Sequence, residues 1–267
     1  MSKKSSSAQA IFPVSPESLP DLELEESRYL LRFARTAEDL DAVLRLRFEV
    51  FNLELQEGLE ASHETGRDMD QFDPVCHHLM VLEQTRGDVV GCYRMQTSEM
   101  AAANLGFYSQ IEFDLDGFPP GVLDNAMEIG RACVAKEHRS TQVLFLLWKG
   151  LALYVAANRR RFLFGCSSLT SQDPKEGKAF MDHLVYHDHL HPMFQIRPQP
   201  GFECYPSELE NVGDRKIKVP PLFRIYLRHG AKVCGPPAID REFKTIDFLI
   251  LFDIDSMDPK MFEIFFD

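Results

Sequence analysis

Hydrophobic and polar positions along the chain follow two periods, one of two residues and one of three to four. Residues 28–35 have the alternation of a strand. From Thr36 apolar residues recur every three or four positions as far as Leu55, which predicts a helix whose N-cap is Thr36. Arg47 lies on or beside the apolar face of this helix. We therefore expect its side chain either to snorkel towards water or to be paired inside the protein.

The remaining pattern predicts a β-hairpin, then a strand, and then alternating helices and strands. Long irregular segments are expected at 56–75 and at 191–221. The other expected elements are the hairpin over 77–97, a strand ending near Val134, a helix from about Thr141 to Asn158, a strand at 161–169, helices at 173–190 and 220–230, and strands around 231–235 and 245–255. This order predicts one α/β domain with a mixed sheet over residues 28–267. Residues 1–27, rich in Ser and Pro, are expected to form a flexible tail.

The charge of the chain restricts its partners. The formal net charge is -12, from 29 Lys and Arg against 41 Asp and Glu. Long-range repulsion therefore opposes binding to nucleic acid, and we predict no nucleic-acid partner. Any anionic partner has to meet a local basic patch.

The six cysteines and the hydropathy pattern indicate a cytoplasmic protein. The cysteines are scattered singly, without a CxxC pair, and most lie in apolar runs, so we expect reduced and buried thiols. No window approaches the roughly 18 to 20 apolar residues of a membrane span, and the N-terminus has no signal-peptide core.

Several charged residues stand inside strand and helix patterns, where a charge is costly unless it is paired. They are Arg47, Asp68, Asp70, Asp73, Arg94, Glu128 and Arg131. Their signs nearly balance, so an ion network lining a polar cleft is expected. The alternative is that they form structural salt bridges or solvated faces.

Seven short motifs occur in an order that resembles the acyl-homoserine-lactone-synthase-like branch of the GNAT acyltransferase superfamily. The resemblance is closer still to the bacterial ornithine N-acyltransferases that begin ornithine-lipid synthesis. The motifs are LRFEVF (46–51), DxDxFDPxCHHLxV (68–81), VVGCYRM (89–95), EIGRACV (128–134), LWKGLALY (147–154), FLFGCSSL (162–169) and PPLFRIYLRHGAKVCGPPAID (220–240). The resemblance implies a GNAT-like fold with a mixed, mostly antiparallel central sheet flanked by helices.

The resemblance also implies a reaction. A long, 3-hydroxylated fatty acyl group would pass from the phosphopantetheine thioester of acyl carrier protein to the α-amine of ornithine or a related amino acid. It implies no cofactor, no metal and no covalent enzyme intermediate. The acyl product implies a transient contact with a membrane surface, at the inner face of the plasma membrane.

Glu128 and Arg131 are the expected catalytic pair. An amine at neutral pH is mostly protonated, so it needs an anionic site and a base, and Glu128 is the candidate base, directly or through a water. Arg131 is expected to bind a carboxylate or to order Glu128, and Arg47, Asp70, Asp73 and Arg94 to shape and balance the amine site. Residues three apart on a regular strand face opposite sides. Either a β-bulge brings Arg131 round, or the two residues have different roles.

The expected binding site for the donor phosphate is His138, Arg139 and Ser140, at the predicted N-terminus of the helix that begins near Thr141. The glycines of the usual GNAT pyrophosphate loop are missing from EHRSTQVL. Without them the backbone cannot approach a diphosphate closely, which favours a carrier-protein donor over coenzyme A. Carrier proteins are acidic, and the positive surface for docking would be Lys136, His138, Arg139, Lys149, Arg159, Arg160 and Arg161. For the last three, the alternative is a solvated helix end.

The sequence gives weaker signals for other kinds of functional site. His183, His187, His189 and His191 lack a completing ligand set, so no metal site is predicted. The hydroxyls of CSSLTSQD lack a GxSxG elbow, which argues against a hydrolase. Cys133 lies in an apolar strand, where a raised thiol pKa is expected. The apolar C-terminal tail either docks on the core or touches a bilayer. Alternative functions are another N-acyl amino acid or acyl-homoserine-lactone synthase, or a non-catalytic module that binds an acyl ligand or acyl carrier protein.

Overall fold

The computed structural model of the protein describes residues 12–209 and 217–266, apart from the side chain of Met261. Its centre is a nine-stranded sheet. The strands are β1 (Glu23–Glu26), β2 (Tyr29–Phe33), β3 (His77–Glu83), β4 (Asp88–Thr97), β5 (Ala126–Val134), β6 (Phe162–Leu169), β7 (Lys232–Val233), β8 (Ala238–Asp240) and β9 (Thr245–Asp253). Their order is β1-β2-β3-β4-β5-β6-β9-β7, and β8 also pairs with β9. All of these pairs are antiparallel except β5 with β6, so the predicted mixed, mostly antiparallel sheet is confirmed.

Seven α-helices flank the sheet among the described residues. They are α1 (Ala37–Arg47), α2 (Ser62–Thr65), α3 (Ser98–Ala103), α4 (Thr141–Ala157), α5 (Pro174–Tyr186), α6 (Pro221–Arg228) and α7 (Pro259–Phe266). Thr36 caps α1 as predicted, because its hydroxyl accepts from the Asp39 amide while the Asp39 carboxylate accepts from the Thr36 amide. Beyond Arg47 the chain continues as a π-helical segment, Phe48–Glu54, rather than as α-helix.

The helices α1 and α4 cover opposite faces of the sheet. Successive strand residues point to opposite sides. Leu79 and Val81 belong to the core cluster that contains Val143 of α4, whereas Met80, between them, belongs to the cluster of Val43 on α1. The strongly apolar helix α4 is therefore packed against one face of the sheet, and its N-terminus lies where β5 ends.

The first part of the fold corrects the predicted tail boundary. Glu23–Glu26 forms β1, which pairs with β2 from Glu23 opposite Arg32 to Glu26 opposite Tyr29. The folded region thus begins before residue 28, because β1 is the edge strand of the sheet and is hydrogen-bonded to β2. Residues 1–11 of the predicted tail lie outside the described residues.

A β-bulge interrupts β5 between Gly130 and Cys133, where the sequence leaves open whether Glu128 and Arg131 can face the same side of the sheet. Cys92 is paired with Cys133 and Arg94 with Gly130, so β5 carries one more residue than β4 over this interval. Arg131 has the left-handed φ of 49°, which is typical of an extra residue at a bulge. Of the two possibilities raised by the sequence, the bulge is present.

The parallel strands β5 and β6 separate just before the bulge. They pair only from Ala126 opposite Phe162 to Glu128 opposite Phe164. From there β5 stays with β4, and β6 stays with β9. The gap between the diverging strands opens the cavity described below.

The C-terminal tail is helical and docks on the core. Phe265 of α7 is buried, with its ring 5.5 Å from that of Trp148 on α4. Phe262 and Ile264 remain 40% and 48% exposed. Within the described parts of the chain, no helix combines the length and the apolar character that crossing a bilayer requires.

Candidate active site

A cavity of about 1140 Å³ occupies the gap between β5 and β6. One part of its wall is polar and contains Arg94, Tyr108, Glu128, Arg131, Asp240 and Asp247. Another part is apolar and contains Leu144, Leu147, Phe180, Leu222, Phe223 and Ile225 from α4, α5 and α6. The cavity therefore suits a ligand with a charged end and a long apolar chain.

Three arginines and three aspartates form a buried ion network beside the polar wall. The guanidinium of Arg47, which is fully buried, donates to Asp68 at 2.8 Å and to Asp73 at 2.5 Å. Arg94 donates to Asp73 at 3.0 Å and to Asp70 at 2.6 Å. Arg131 donates to the other oxygen of Asp70 at 3.0 Å. Of the two expectations for Arg47, pairing inside the protein is confirmed.

Only two members of this network line the cavity. Arg94 and Arg131 reach it, whereas Arg47, Asp70 and Asp73 are absent from its wall. The prediction that these residues shape and balance the amine site therefore applies to Arg47, Asp70 and Asp73 only from behind the wall. Because the aspartates are held from behind by Arg47, the network fixes the positions of Arg94 and Arg131 and balances their charge.

The network keeps Asp70 and Asp73 ionised. Burial by itself opposes ionisation of Asp73, but Arg47 and Arg94 lower its pKa well below the usual range. The pKa of Asp70 is also lowered, because the attraction of Arg94 and Arg131 outweighs burial and the repulsion of Asp73. Charged aspartates paired with charged arginines make this a rigid wall rather than a titrating one.

Glu128 is a buried carboxylate that anchors a short turn. Its Oε2 accepts from the Gln96 side-chain amide and from the Tyr108 backbone N–H, both at 2.7 Å. Its Oε1 accepts from the Ser109 backbone N–H at 2.6 Å. Three donors occupy three of the roughly four acceptor positions of a carboxylate. Glu128 therefore places the turn Tyr108–Ile111 against the cavity and still lines the cavity itself.

Arg131 is held between two aromatic rings. Its guanidinium carbon lies 4.7 Å from the Tyr108 ring centre and 4.3 Å from that of Phe243. Both distances are within the range of cation–π contact. Among the described residues its Nε has no hydrogen-bond partner, although Asp68 lies 3.8 Å away as an ionic neighbour. Arg131 is thus an oriented cation at the cavity wall.

Three further carboxylates gather beside this wall. They are Glu112, Asp240 and Asp247, and one oxygen of each lies within 4.8 Å of the others. Among the residues that the structure describes, this is the only group of three or more such side chains close enough to hold a metal ion. The four histidines considered from the sequence are not part of it, although His183 and His187 have ring centres 4.3 Å apart.

The cluster is poorly compensated. When all three carboxylates are charged, the two oxygens of Glu112 and the Oδ1 of Asp247 have no hydrogen-bond partner among the described residues. Burial raises the pKa of Glu112 well above its ordinary value, and repulsion from Asp247 and Asp240 adds to the rise. Burial also raises the pKa of Asp247. Two carboxylates this close can hydrogen-bond to each other only when one keeps its proton, and the raised pKa of both groups favours that shared proton.

Glu57 is a fourth acid of the cavity wall, on the side of Thr170. Its carboxylate accepts a hydrogen bond from the Thr170 hydroxyl. Burial raises the pKa of Glu57 to about 7, and the nearby Asp247 adds to the rise. A carboxylate that titrates near neutrality inside a cavity has the property of a general base.

The three residues predicted to bind the donor phosphate separate in the structure. Ser140 is the N-cap of α4, where its hydroxyl accepts from the Val143 amide at 3.4 Å, and both Ser140 and Arg139 line the cavity. His138 does not line it, because its Nδ1 lies 3.1 Å from the Tyr29 hydroxyl. The guanidinium of Arg139 makes two 2.7 Å hydrogen bonds to Glu54. Its charge is therefore partly compensated already.

The predicted basic docking patch is also partly compensated. Besides Arg139, Arg160 pairs with Glu99 at 2.5 Å and Arg161 with Asp253 at 2.7 Å. For Arg160 and Arg161 these pairs favour the alternative of a structural role at the end of α4. Within the described ranges, Lys136 and Lys149 make no ion pair.

The cysteines behave as predicted. All six are free thiols, five of them buried and Cys166 half-buried. Burial raises the pKa of Cys133 well above its ordinary value, which confirms that it is not an activated thiol.

Sequence reasoning missed four acids of the site. Asp247 carried a usable signal, since it is a charge inside the apolar strand TIDFLILF. Asp240 and Glu112 carried none, because they flank irregular segments whose approach to β9 depends on the tertiary fold. Glu57 lies in the irregular stretch 56–75, where an acid is unremarkable.

Comparison with known proteins identifies the family. The sequence profile described as "Acetyltransferase (GNAT) domain" matches residues 46–149. The chain is 32% identical, over 85% of its length and 81% of the relative, to the L-ornithine N(alpha)-acyltransferase of Agrobacterium fabrum. It is 33% identical to the protein of the same name from Rhodobacter capsulatus, over 89% of this chain and 94% of that protein.

A solved structure agrees at the level of the fold. The acyl-homoserine-lactone synthase LasI superposes with a TM-score of 0.50 at 12% identity, over 90% of this chain and 96% of that one. The fold is therefore the GNAT-like one that the sequence motifs predict. By its sequence similarity over most of its length, the chain belongs to the L-ornithine N(alpha)-acyltransferase family of GNAT acyltransferases.

Proposed function

We propose that this acyltransferase moves a long, 3-hydroxylated fatty acyl group from acyl carrier protein to the α-amine of ornithine. The observation that carries the proposal is the cavity of about 1140 Å³, because its wall joins an apolar channel to a polar end that holds both an anion and a cation. The relatives reported above are both named as N(alpha)-acyltransferases of L-ornithine. The shape and polarity of the cavity suit an acyl donor and a zwitterionic acceptor meeting inside it.

The acceptor is held by groups of opposite charge. Arg131 lines the cavity and supplies a fixed positive charge for the carboxylate of an amino acid. Glu128, three residues earlier on β5, supplies the negative charge that attracts the α-ammonium. It takes up the proton directly or through a water, using the acceptor position that its three donors leave free. Glu57, with a pKa of about 7, is a second base on the same cavity wall.

The reaction requires no covalent enzyme intermediate. The neutral amine attacks the thioester carbonyl, a C–N bond forms, the C–S bond breaks, and the phosphopantetheine thiol leaves with a proton. Beyond Glu128 the strand β5 no longer pairs with β6, so backbone amides on that edge are available to polarise the thioester carbonyl. The metal-free mechanism implied by the family resemblance remains part of the proposal.

The donor enters along α4. The first amides of α4 and the side chains of Arg139 and Ser140 favour a single phosphate, such as that of phosphopantetheine. Lys136 and Lys149 supply positive charge nearby for an acidic carrier protein. His138 is left out of this proposal because its ring is engaged with Tyr29.

The product implies where the enzyme works. An N-acyl amino acid is amphipathic, so we place the protein in the cytoplasm with transient contact at the inner face of the plasma membrane. The exposed side chains Phe262 and Ile264 of α7 support such a contact, and Phe265 holds the helix on the core.

The experiment is a matrix of donors and acceptors. Purified protein is incubated with 3-hydroxyacyl carrier protein or the same acyl-coenzyme A, and with ornithine, lysine, glycine, putrescine or S-adenosylmethionine, and the products are identified by mass. We expect an amide of ornithine, formed faster from the carrier protein. A lactone product from S-adenosylmethionine would instead indicate a signal synthase. The absence of a new amide from every pair would indicate a non-catalytic binding module.

A further inference from the structure

A cluster of three acids lies beside the polar wall of the cavity, and neither the family name nor the reaction chemistry assigns it a role. The cluster Glu112, Asp240 and Asp247 gathers three acids in a part of the protein with little access to water. Glu112 is only 1% exposed and Asp247 only 4%. Buried carboxylates without partners are costly, and a protein keeps them where a ligand compensates them.

The cluster is built by three separate elements. Asp247 lies in the middle of β9, opposite Ser168 of β6 and Ala238 of β8. Asp240 ends β8, and its Oδ1 accepts from the Phe243 amide at 2.8 Å, which fixes its direction. Asp240 and Asp247 both line the cavity. Thr245, between them on the hairpin, donates to the second oxygen of Asp247 at 3.0 Å.

Glu112 joins the cluster to the acceptor site through one turn of chain. The amides of Tyr108 and Ser109 donate to Glu128, and the Ser109 carbonyl in turn accepts from the Glu112 amide at 3.2 Å. Glu128 and Glu112 thus hold the two ends of the same turn. Glu128, Asp240 and Asp247 also line the same cavity, so one ligand can contact both the candidate base and the cluster.

We propose that Glu112, Asp240 and Asp247 bind the side-chain ammonium of a basic amino acid while its α-amine is acylated. This inference rests on the proposed function and names the group that selects the acceptor. Three oxygens that each accept from one tetrahedral nitrogen at about 2.9 Å lie roughly 4.7 Å apart. The cluster oxygens all lie within 4.8 Å of one another, so they are gathered closely enough to surround one nitrogen. An ammonium offers three N–H donors, one for each carboxylate.

Charge supports the same ligand. Arg131 already supplies a cation for the acceptor carboxylate, so the opposite end of the acceptor has to meet a negative site. In the fully ionised cluster, the two oxygens of Glu112 and the Oδ1 of Asp247 have no donor among the described residues, and an ammonium would supply one. A neutral side chain of the same length would leave them unpaired, which is how a polar pocket rejects an analogue that lacks the donor.

The test compares ornithine with norvaline, which has the same carbon skeleton without the side-chain amine. Steady-state rates are measured for the wild type, Asp247→Asn and Glu112→Gln, with Glu242→Gln as the matched control because Glu242 is an exposed acid two residues from Asp240. We expect the wild type to prefer ornithine at least 100-fold in kcat/KM. Either cluster variant should raise KM for ornithine roughly 10- to 100-fold and leave norvaline unchanged. The control should match the wild type.

Two outcomes in the kinetics overturn the inference. One is equal use of norvaline and ornithine by the wild type. The other is an equal loss for both substrates in the variants, which would make the cluster structural. Using both Asp247→Asn and Glu112→Gln keeps the test valid if one of them fails to fold, and circular dichroism identifies such a variant.

Binding without the donor separates this inference from the proposed function. If no acceptor is acylated, calorimetry with ornithine and norvaline still decides the site, since only ornithine should bind and Asp247→Asn should weaken it. Titration with Mg²⁺, Ca²⁺ or Mn²⁺ completes the test. A divalent ion that binds the wild type, loses affinity in Asp247→Asn and competes with ornithine would make the cluster a metal site and overturn the inference.

Discussion

Glu128 and Arg131 contact different parts of the same tyrosine. Glu128 accepts the backbone N–H of Tyr108 at 2.7 Å, and the Arg131 guanidinium lies 4.7 Å from the centre of its ring. The bulge in β5 makes this possible, because the extra residue turns Arg131 to the face on which Glu128 lines the cavity. An anion and a cation are thereby fixed around one turn of chain, ready for the two ends of an amino acid.

Replacing Glu128 by Gln should reduce turnover far more than it reduces binding. We expect kcat/KM at pH 7 to fall by about 10² to 10⁴, the usual contribution of a general base. Part of the loss should be regained at pH 9, where more of the acceptor amine is unprotonated. Rates at both pH values, together with thermal unfolding of the variant, check this.

The matched control for Glu128 is Gln96→Leu, which removes one donor to the carboxylate and leaves the carboxylate in place. It should change kcat/KM by less than about tenfold. Unchanged turnover in a folded Glu128→Gln would assign this residue to the positioning of the turn alone.

Glu57 should give the protein a stability that depends on pH. Its pKa is about 7 in the folded state against an ordinary value of 4.5. The folded protein therefore holds a proton that the unfolded chain releases, and stability is lost as pH rises from about 4.5 to about 7. Glu57→Gln should be more stable than the wild type above pH 7, by at most about 3 kcal/mol, and nearly equal to it at pH 4. Urea unfolding at the two pH values measures the difference, and equal differences at both would contradict the raised pKa.

The ion network should contribute to stability through Asp73. Asp73→Asn leaves Arg47 and Arg94 buried with too little negative charge, and we expect a loss of about 3 to 5 kcal/mol in the free energy of unfolding. The control is Asp41→Asn, which removes a partner of Arg45 and Arg67 at the surface and should cost less than about 1 kcal/mol. A similar loss in the free energy of unfolding in the two variants would show that the buried network stabilises the protein no more than a surface ion pair does.

Leu144 should help to set the length of the acyl chain. It lines the apolar part of the cavity on α4, so Leu144→Phe should lower kcat/KM for long acyl donors more than tenfold while short donors are less affected. Phe145→Trp, at the next and exposed position of α4, should leave the preference unchanged. A uniform effect on all donors would argue that the chain binds elsewhere.

Much of the fold was predictable because local patterns and tertiary packing agree in it. The N-cap Thr36, the hairpin β3–β4 and the apolar helix α4 are all expected from their residues. The strand β8 was not, since three residues after two prolines have no periodicity, and they form a strand only because β9 is there to pair with them. The edge strand β1 is missing from the sequence prediction for the same reason, since it forms only by pairing with β2.

The residues of the candidate site also divide into those that the sequence could predict and those that depend on the tertiary fold. Arg47, Arg94 and Arg131 could be found from sequence because a charge in an apolar pattern demands a partner. Glu112 and Asp240 could not be found in this way, because only the tertiary fold brings them close to Asp247. His138 was placed with the donor phosphate by its neighbours in sequence, whereas its ring lies against Tyr29.

The most direct measurement is the position of the amide in the product formed from ornithine and 3-hydroxyacyl carrier protein. Tandem mass spectrometry distinguishes acylation of the α-amine from acylation of the side-chain amine. With the α-amine at Glu128 and the side-chain ammonium held by carboxylates, we predict the α-amide alone. A side-chain amide, or no amide at all, would contradict the proposed arrangement of the acceptor in the cavity.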